Sequence, residues 1–484
     1  MPDASPSPPA SPVATVTSRP SALKRVLEEL GLVSLYASSR DVKLLLLQRF
    51  VRMFAYGMST LILVVYLDSL KIGKTQIGLF MTLTLVGDTC ISFLLTLFAD
   101  ALGRKAILAL GALLMSASGI IFASSGTYWV LLLAAVIGVI SPSGNEIGPF
   151  RAIEESIVAQ LTEPLRRSDV YAWYTLSGLV GTACGYLACG WVLQYFTDSL
   201  QWDIISSYRI IYLGYAAIGL LKLVLSLLLS HSVESEKKKQ QQQQNTRAHD
   251  EETTPLLNSR EDVAPKSQKK GIRGLLPDIT KDSVPIVINL CLLFALDSLG
   301  SGLAPASWIT YFFRYKYHID DGKLGSIFFT AQILGGCSVI VASSLAKRFG
   351  NVNTMVFTHL PSQIFRALIP IPNNVHAALL FCLLNFSTQS MDSGPRSAFL
   401  ATIVLPAERT AVMGTVNVVK TTASSLGPIL TGFLVDHNLF WLCFVGSGSL
   451  KALYDLGLLA FFKNKERERA RAEQERILEN EDRE

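Results

Sequence analysis

One apolar run of the 484-residue chain carries Glu146, Arg151, Glu154 and Glu155, and another carries Asp392 and Arg396. A charge inside a membrane-spanning helix costs about 2.5–3.5 kcal/mol by insertion scales, so each of these residues needs a partner or a task. Arg151 and Glu155 are four residues apart, as are Asp392 and Arg396; at that spacing side chains share a helix face and can pair. Asp297 (in FALDSLGSG) and Asp88 (in LVGDTC) are isolated acids well inside their runs, expected to be protonated or turned to water. Arg49 and Arg52, three apart on one face, can hold an anionic substrate or snorkel to the interface. The chemistry open to such a set is proton handling. A carboxylate's hold on a proton depends on its burial and on the cations beside it, so a movement that makes or breaks an ion pair also moves a proton. The competing reading is structural: the pairs neutralise one another for insertion, or lock helix ends.

The elements that position these residues follow from composition. Half of the chain is hydrophobic and 17% is charged, against about 25% charged in soluble proteins. The apolar residues fall in runs of roughly 20 or more, the length a helix needs to cross a bilayer. This excludes a soluble enzyme. The net charge of +5 sits in loops and tails, and no basic-aromatic face suggests nucleic acid. Spans are expected at about 43–70, 75–99, 105–124, 128–160, 168–196 and 206–230, then at about 284–313, 321–346, 352–371, 374–401, 409–435 and 438–462. The fold class is therefore all-α integral membrane, about twelve transmembrane helices in two six-helix bundles, 43–230 and 284–462. Residues 1–42 read as a disordered tail without a cleavable signal peptide, followed by an amphipathic surface helix at 21–36. Residues 231–283 read as a disordered linker, and 463–484 as a charged tail or helix extension. Arg104, Lys105, Arg166, Arg167, Lys347, Arg348 and Arg409 lie in loops on the side of the tails and linker, which places both termini in the cytosol. Lys71, Lys74, Arg314, Lys316 and Lys323 lie on the other side. The seven cysteines lack zinc-ligand or redox spacing and are expected to be reduced.

The two halves repeat. Gly78–Leu108 lies over Gly325–Met355 at constant offset, pairing Gly78 with Gly325, Cys90 with Cys337 and Gly103 with Gly350. At a slightly shorter offset Pro164 pairs with Pro406, Arg167 with Arg409, Gly185 with Gly427, Gly190 with Gly432, and Glu154 falls opposite Arg396. Two parallel six-helix halves with a site between them is a recurring transporter plan. Asp100, Gly103, Arg104 and Lys105, between spans two and three, resemble the loop signature of the major facilitator superfamily. MDSGPRSAF (391–399), LPAERTA (405–411), SLGPILTG (425–432) and NEIGPFRAIEE (145–155) are similar to its multidrug-efflux-like branch. The resemblance implies that spans one, four, seven and ten line a cavity. Glu154, Glu155, Asp392 and Arg396 then become the leading site candidates, with Arg151, Asp297, Asp88, Arg49 and Arg52 behind them. It also implies a gate latch at Asp100, Gly103, Arg104 and Lys105, with Arg167, Glu408 and Arg409 as partners across the pseudo-twofold.

Trp173, Tyr174, Trp191 and Trp308 can stack on an aromatic or cationic substrate or simply pack. In the linker, Glu252, Leu256 and Leu257 fit the acidic dileucine pattern that clathrin-type sorting adaptors read, an address for a vacuolar or lysosomal membrane. No GxSxG, HExxH or phosphate-binding glycine loop is present, so neither enzyme nor cofactor is expected. The expected activity is secondary transport of a small organic solute across the bilayer, coupled to protons, with antiport favoured. An uncoupled facilitator and a transporter-fold sensor signalling through the linker are the alternatives.

Overall fold

A segment crossing hydrocarbon must satisfy every backbone N–H and C=O within itself, which selects the α-helix. The computed structural model describes residues 31–138, 140, 149–163, 166–234, 283–404 and 408–481, and they form sixteen α-helices. The first half holds α1 (Leu32–Ala37), α2 (Arg40–Ser69), α3 (Lys74–Leu102), α4 (Arg104–Ser124), α5 (Tyr128–Gly138), α6 (Pro149–Leu161), α7 (Arg167–Gln194) and α8 (Ile204–Leu227). The second holds α9 (Val284–Leu303), α10 (Ala306–Tyr317), α11 (Asp321–Phe349), α12 (Asn351–Leu368), α13 (Val375–Thr388), α14 (Ser393–Ile403), α15 (Arg409–Asp436) and α16 (Phe440–Glu481). Among the described residues nine helical runs are long and apolar enough to cross a membrane. The pairs α5–α6 and α13–α14, with α12, supply the remaining crossings of an all-helical fold of about twelve spans.

Spans four, seven and ten, expected as single helices, are each built from two pieces. In span seven Pro305 stands between α9 and α10 and cannot continue the first helix. The carbonyls freed there are taken by side chains: Thr431 Oγ1 donates to Leu303 O at 2.6 Å, and Arg366 Nη1 to Ala304 O at 3.4 Å. Span ten breaks between Thr388 and Ser393, and span four between Gly138 and Pro149. The expected surface helix at 21–36 falls mostly outside the described residues, as does the linker with Glu252, Leu256 and Leu257. The charged C-terminal tail is the helix extension, since α16 runs to Glu481.

The sequence repeat is a repeat of contacts. Gly103 and Gly350 both adopt positive φ, 102° and 81°, at the turns that start α4 and α12, a backbone that side chains other than glycine's tolerate poorly. Within each half, Gly57 packs so closely on α7 that a Cβ would lie 2.3 Å from Thr182 O, and Gly302 on α15 so closely that one would lie 2.3 Å from Ser424 O. Their facing partners are Gly185 and Gly427. Between the halves, Gly78 meets Pro428 O and Gly432 Cα of α15, and Gly325 meets Tyr186 O and Gly190 Cα of α7. Small residues permit such backbone approach between membrane helices.

The inter-half crossings close the face opposite the one where α2 begins. There Asp436, at the end of α15, accepts the Thr75 N–H at 2.8 Å and the Lys74 N–H at 3.2 Å, at the start of α3. Gln194 Oε1, at the end of α7, accepts the Gly322 N–H at 3.1 Å at the start of α11. Each is a side-chain acceptor supplied to a helix N-terminus, where unpaired N–H groups need one. Tyr311 O–H to Asp68 at 3.0 Å and Trp191 Nε1–H to Ser326 at 3.0 Å add to the closure.

Gly78→Leu and Gly190→Leu should spring this face open. A cysteine at Trp191 should then label several-fold faster with a membrane-impermeant maleimide. Gly214→Leu, where only Met58 Cε comes near, at 3.6 Å, should leave labelling unchanged.

Candidate functional site

Glu154 is fully buried on α6 and is clamped from three helices. Arg52 Nη2 of α2 donates to its Oε2 at 2.9 Å, Lys222 Nζ of α8 lies 3.4 Å from Oε1, and the Tyr174 hydroxyl of α7 donates to Oε2 at 2.6 Å. Arg49, one turn before Arg52, stacks on the Tyr174 ring with its Cζ 4.4 Å from the centroid and donates to the Tyr174 oxygen at 3.3 Å. Gly178 makes that possible, because a Cβ there would lie 2.7 Å from Arg49 Nε. Lys222 Nζ also sits 3.5 Å from the centre of the Phe150 ring.

The second half repeats the clamp with the signs exchanged. Asp297 on α9 takes the place of Arg52, and Arg396 on α14 takes the place of Glu154. Arg396 Nη1 donates to Asp297 Oδ2 at 3.2 Å, and Lys451 of α16 donates to Oδ1 at 2.6 Å. The correspondence is set by the glycines: Gly57 and Gly302 face the paired Gly185 and Gly427, and Arg52 and Asp297 stand five residues before them. In both halves a lysine of the last helix completes the carboxylate's shell.

Asp297 is therefore not the isolated acid its sequence context suggests: its partners lie 99 and 154 residues further along the chain. Asp88 is buried on α3, and Ser92 Oγ donates to its Oδ1 at 3.4 Å. The two pairs read from spacing form, Arg151 with Glu155 at 2.7 Å and Arg396 with Asp392. Arg151 and Glu155 lie on the partly exposed face of α6, away from Glu154. Trp308 is packed against Tyr311 and Phe440 with no exposed surface, so stacking on a solute is closed to it here.

The latch candidates do not meet across the halves in this conformation. Arg104 and Lys105 donate their backbone N–H groups to Glu234 at 2.9 and 3.4 Å, Arg104 Nη1 reaches Gln160 at 2.8 Å, and Lys105 Nζ reaches Leu229 O at 2.6 Å. Arg167 Nη2 donates to the carbonyls of Ala159 and Thr162. Glu408 is buried at the start of α15 and Arg409 is exposed; the Asp100 side chain lies outside those described. Glu234 caps α4 beside the signature glycine, a role that no sequence pattern marked.

Other polar residues were missed for a simpler reason. Lys222, Lys451, Lys420, Arg366, His359 and Asp455 are charged or titratable residues inside apolar runs, the same criterion that selected Asp297. His359 Nδ1 lies 2.9 Å from both Asp455 oxygens, with both residues buried. Among the described residues no cluster of metal-ligating side chains occurs, and the seven cysteines are free thiols.

The family model described as the Major Facilitator Superfamily matches residues 45–391 and 290–480. An uncharacterized membrane protein of Saccharomyces cerevisiae is 36% identical over 441 residues, covering 89% of this chain and 96% of that protein. Solved structures with the same fold include an inward-facing, unoccupied bacterial homolog of the human lysosomal transporter Spinster (TM-score 0.61, 14% identity, 87% of this chain and 97% of that one). They also include a nucleoside transporter (TM-score 0.63, 15% identity, 88% and 100%) and a D-xylose–proton symporter (TM-score 0.63, 15% identity, 87% and 97%). At these identities the structural likeness is one of fold.

Glu154→Gln leaves Arg52 and Lys222 around a neutral amide. Removing one partner of a buried pair should cost about 3–5 kcal/mol, read as a large fall in apparent Tm of the detergent-purified protein. Glu155→Gln, in a half-exposed pair, should cost about 1 kcal/mol or less. Combining Glu154→Gln with Arg52→Gln should cost less than the two singles together.

Proposed function

The chain belongs to the major facilitator superfamily, a multi-pass membrane transporter, and on that footing we propose that it carries a small organic solute by alternating access in exchange for protons. The observation that carries the reading is the pair of buried carboxylates, Glu154 and Asp297, each held by two cations from other helices. Such a carboxylate is neutralised either by its cations or by a proton. Whatever withdraws the cations therefore loads the proton, and whatever returns them expels it.

Both clamps lie inside one half, so rigid rocking of the halves leaves them whole. Coupling then runs through the short half-helices. Glu154 rides on α6 and Arg396 on α14, and each of these begins at a break in its span. A tilt of α6 against α2 and α8 separates Glu154 from Arg52 and Lys222; a tilt of α14 separates Arg396 from Asp297. Conformational change thus gates proton exchange, while the latch of Asp436 and Gln194 decides which face is open. With this latch made, solute exchanges on the side of the termini. The basic loops on that side, with Arg104, Lys105, Arg166, Arg167 and Arg409, favour its being the cytosol. In the outward-open state Asp100, Arg104 and Lys105 serve as the opposing latch, with Arg167, Glu408 and Arg409 within its reach.

Acid-inside proteoliposomes test the coupling. A transported solute added outside should alkalinise the lumen, and either Asp297→Asn or Glu154→Gln should abolish the response while labelled solute still exchanges. Solute flux with no pH change in the unaltered protein would reduce the activity to facilitated diffusion. We further place the protein in the vacuolar membrane on the strength of Glu252, Leu256 and Leu257. Leu256→Ala with Leu257→Ala should send a fluorescent fusion to the plasma membrane, and an unchanged location would remove the address.

A further inference from the structure

The second half carries more positive charge than its own carboxylates neutralise. Around Asp297 and Asp392 stand Arg396, Lys451, Lys420 and Arg366. Arg396 bridges both acids and Lys451 binds Asp297. Arg366 is buried on α12, and its guanidinium is held by neutral acceptors: Gln389 Oε1 at 2.7 Å, Ser447 Oγ at 3.3 Å, Ala304 O at 3.4 Å and Asn385 Oδ1 at 3.5 Å. A guanidinium keeps its charge in proteins, so this cation is satisfied as a hydrogen-bond donor yet lacks a counterion. Lys420, half-buried on α15, has no carboxylate oxygen within 4.0 Å among the described residues. The adjacent His359–Asp455 pair supplies one more acid, which still leaves the group positive.

Two of these cations converge. Lys420 Nζ lies 5.4 Å and Arg396 Cζ 5.5 Å from the centre of the same ring, Phe294. Two like charges over one ring repel each other unless an anion stands with them. The first half has a cation at the equivalent level. Arg49 precedes Arg52 by three residues, as Phe294 precedes Asp297, and it lies against Gly178, the repeat counterpart of Lys420. Each half thus sets one cation where its first and fifth spans cross, contributed by opposite members of the helix pair. Uncompensated charge is costly at membrane depth and marks a solute pathway.

We propose that the transported solute is a small organic anion, a carboxylate or phosphate ester, whose charged group is held by Lys420 and Arg396 beside Phe294. This rests on the transport reading above. Lys420 is a direct ligand, while Arg366 raises the local potential from behind the breaks in spans seven and ten. The bound anion supplies the missing counter-charge, so the loaded site is closer to neutral than the empty one and crosses the bilayer at lower cost.

Purified protein in liposomes should show saturable uptake of at least one labelled probe among citrate, malate, p-aminobenzoate and glucose 6-phosphate. Glucose, leucine and tetraethylammonium should give none. Losing one charge-assisted contact should raise KM for that anion about tenfold or more in Lys420→Gln, and Lys420→Arg should stay near the unaltered value. Saturable uptake confined to glucose, leucine or tetraethylammonium would overturn the anion assignment and leave the transport reading intact. Anion uptake with an unchanged KM in Lys420→Gln would overturn this site. Anion uptake that follows Lys420 but moves no protons upholds the site and removes only the coupling. Absence of saturable uptake for every probe would count against both readings.

Discussion

Everything in this molecule answers to one constraint: a charge placed in hydrocarbon must find its neutralising partner on another helix. Glu154 collects Arg52, Lys222 and Tyr174 from three helices; Asp297 collects Arg396 and Lys451 from two. These contacts fix which helices are neighbours and at what depth. They are stronger determinants of arrangement than the apolar residues, since a leucine is as content against lipid as against another helix. The glycine crossings then set how close the neighbours come. Gly57 against Gly185 and Gly302 against Gly427 draw the first and fifth spans of each half together at the level of the clamps.

The two clamps share geometry and differ in sign. Arg52–Glu154 and Asp297–Arg396 join the same two spans in their respective halves, and a lysine from the sixth span completes each. A duplicated ion pair can exchange its polarity without moving a helix, because what the fold requires is attraction, not a particular direction. The exchange has an electrostatic consequence. The acid rides on a mobile half-helix in the first half, α6, and on the long first piece of span seven in the second, α9. The same tilting motion therefore moves an anion in one half and a cation in the other.

Much of this was readable from the residues. The spans, their number and the repeat follow from hydropathy and the paired glycines, and the alignment set Glu154 opposite Arg396. The pairs Arg151–Glu155 and Asp392–Arg396 followed from helical spacing alone. What spacing could not supply were partners far along the chain: Lys451 for Asp297, Lys222 for Glu154, Asp455 for His359. Helix rotation about its own axis decides those, and a uniformly apolar helix gives no moment from which to read it. The breaks at Ala304 and Thr388 were hidden for a related reason. Continuous hydropathy across them looks like one helix, and the carbonyls they free are satisfied by Thr431 and Arg366 from other spans.

Each clamp draws all its members from its own side of residues 235–282. Arg49, Arg52, Glu154, Tyr174 and Lys222 have all left the ribosome before the connecting segment is synthesised, and none waits for a residue still to be made. The nascent first half can thus hide its own charges as it leaves the translocon, with no need for the later helices to arrive. Biogenesis then proceeds as two successive insertions, each complete in its electrostatics, and the only unfinished business is the docking of α3 on α15 and of α7 on α11.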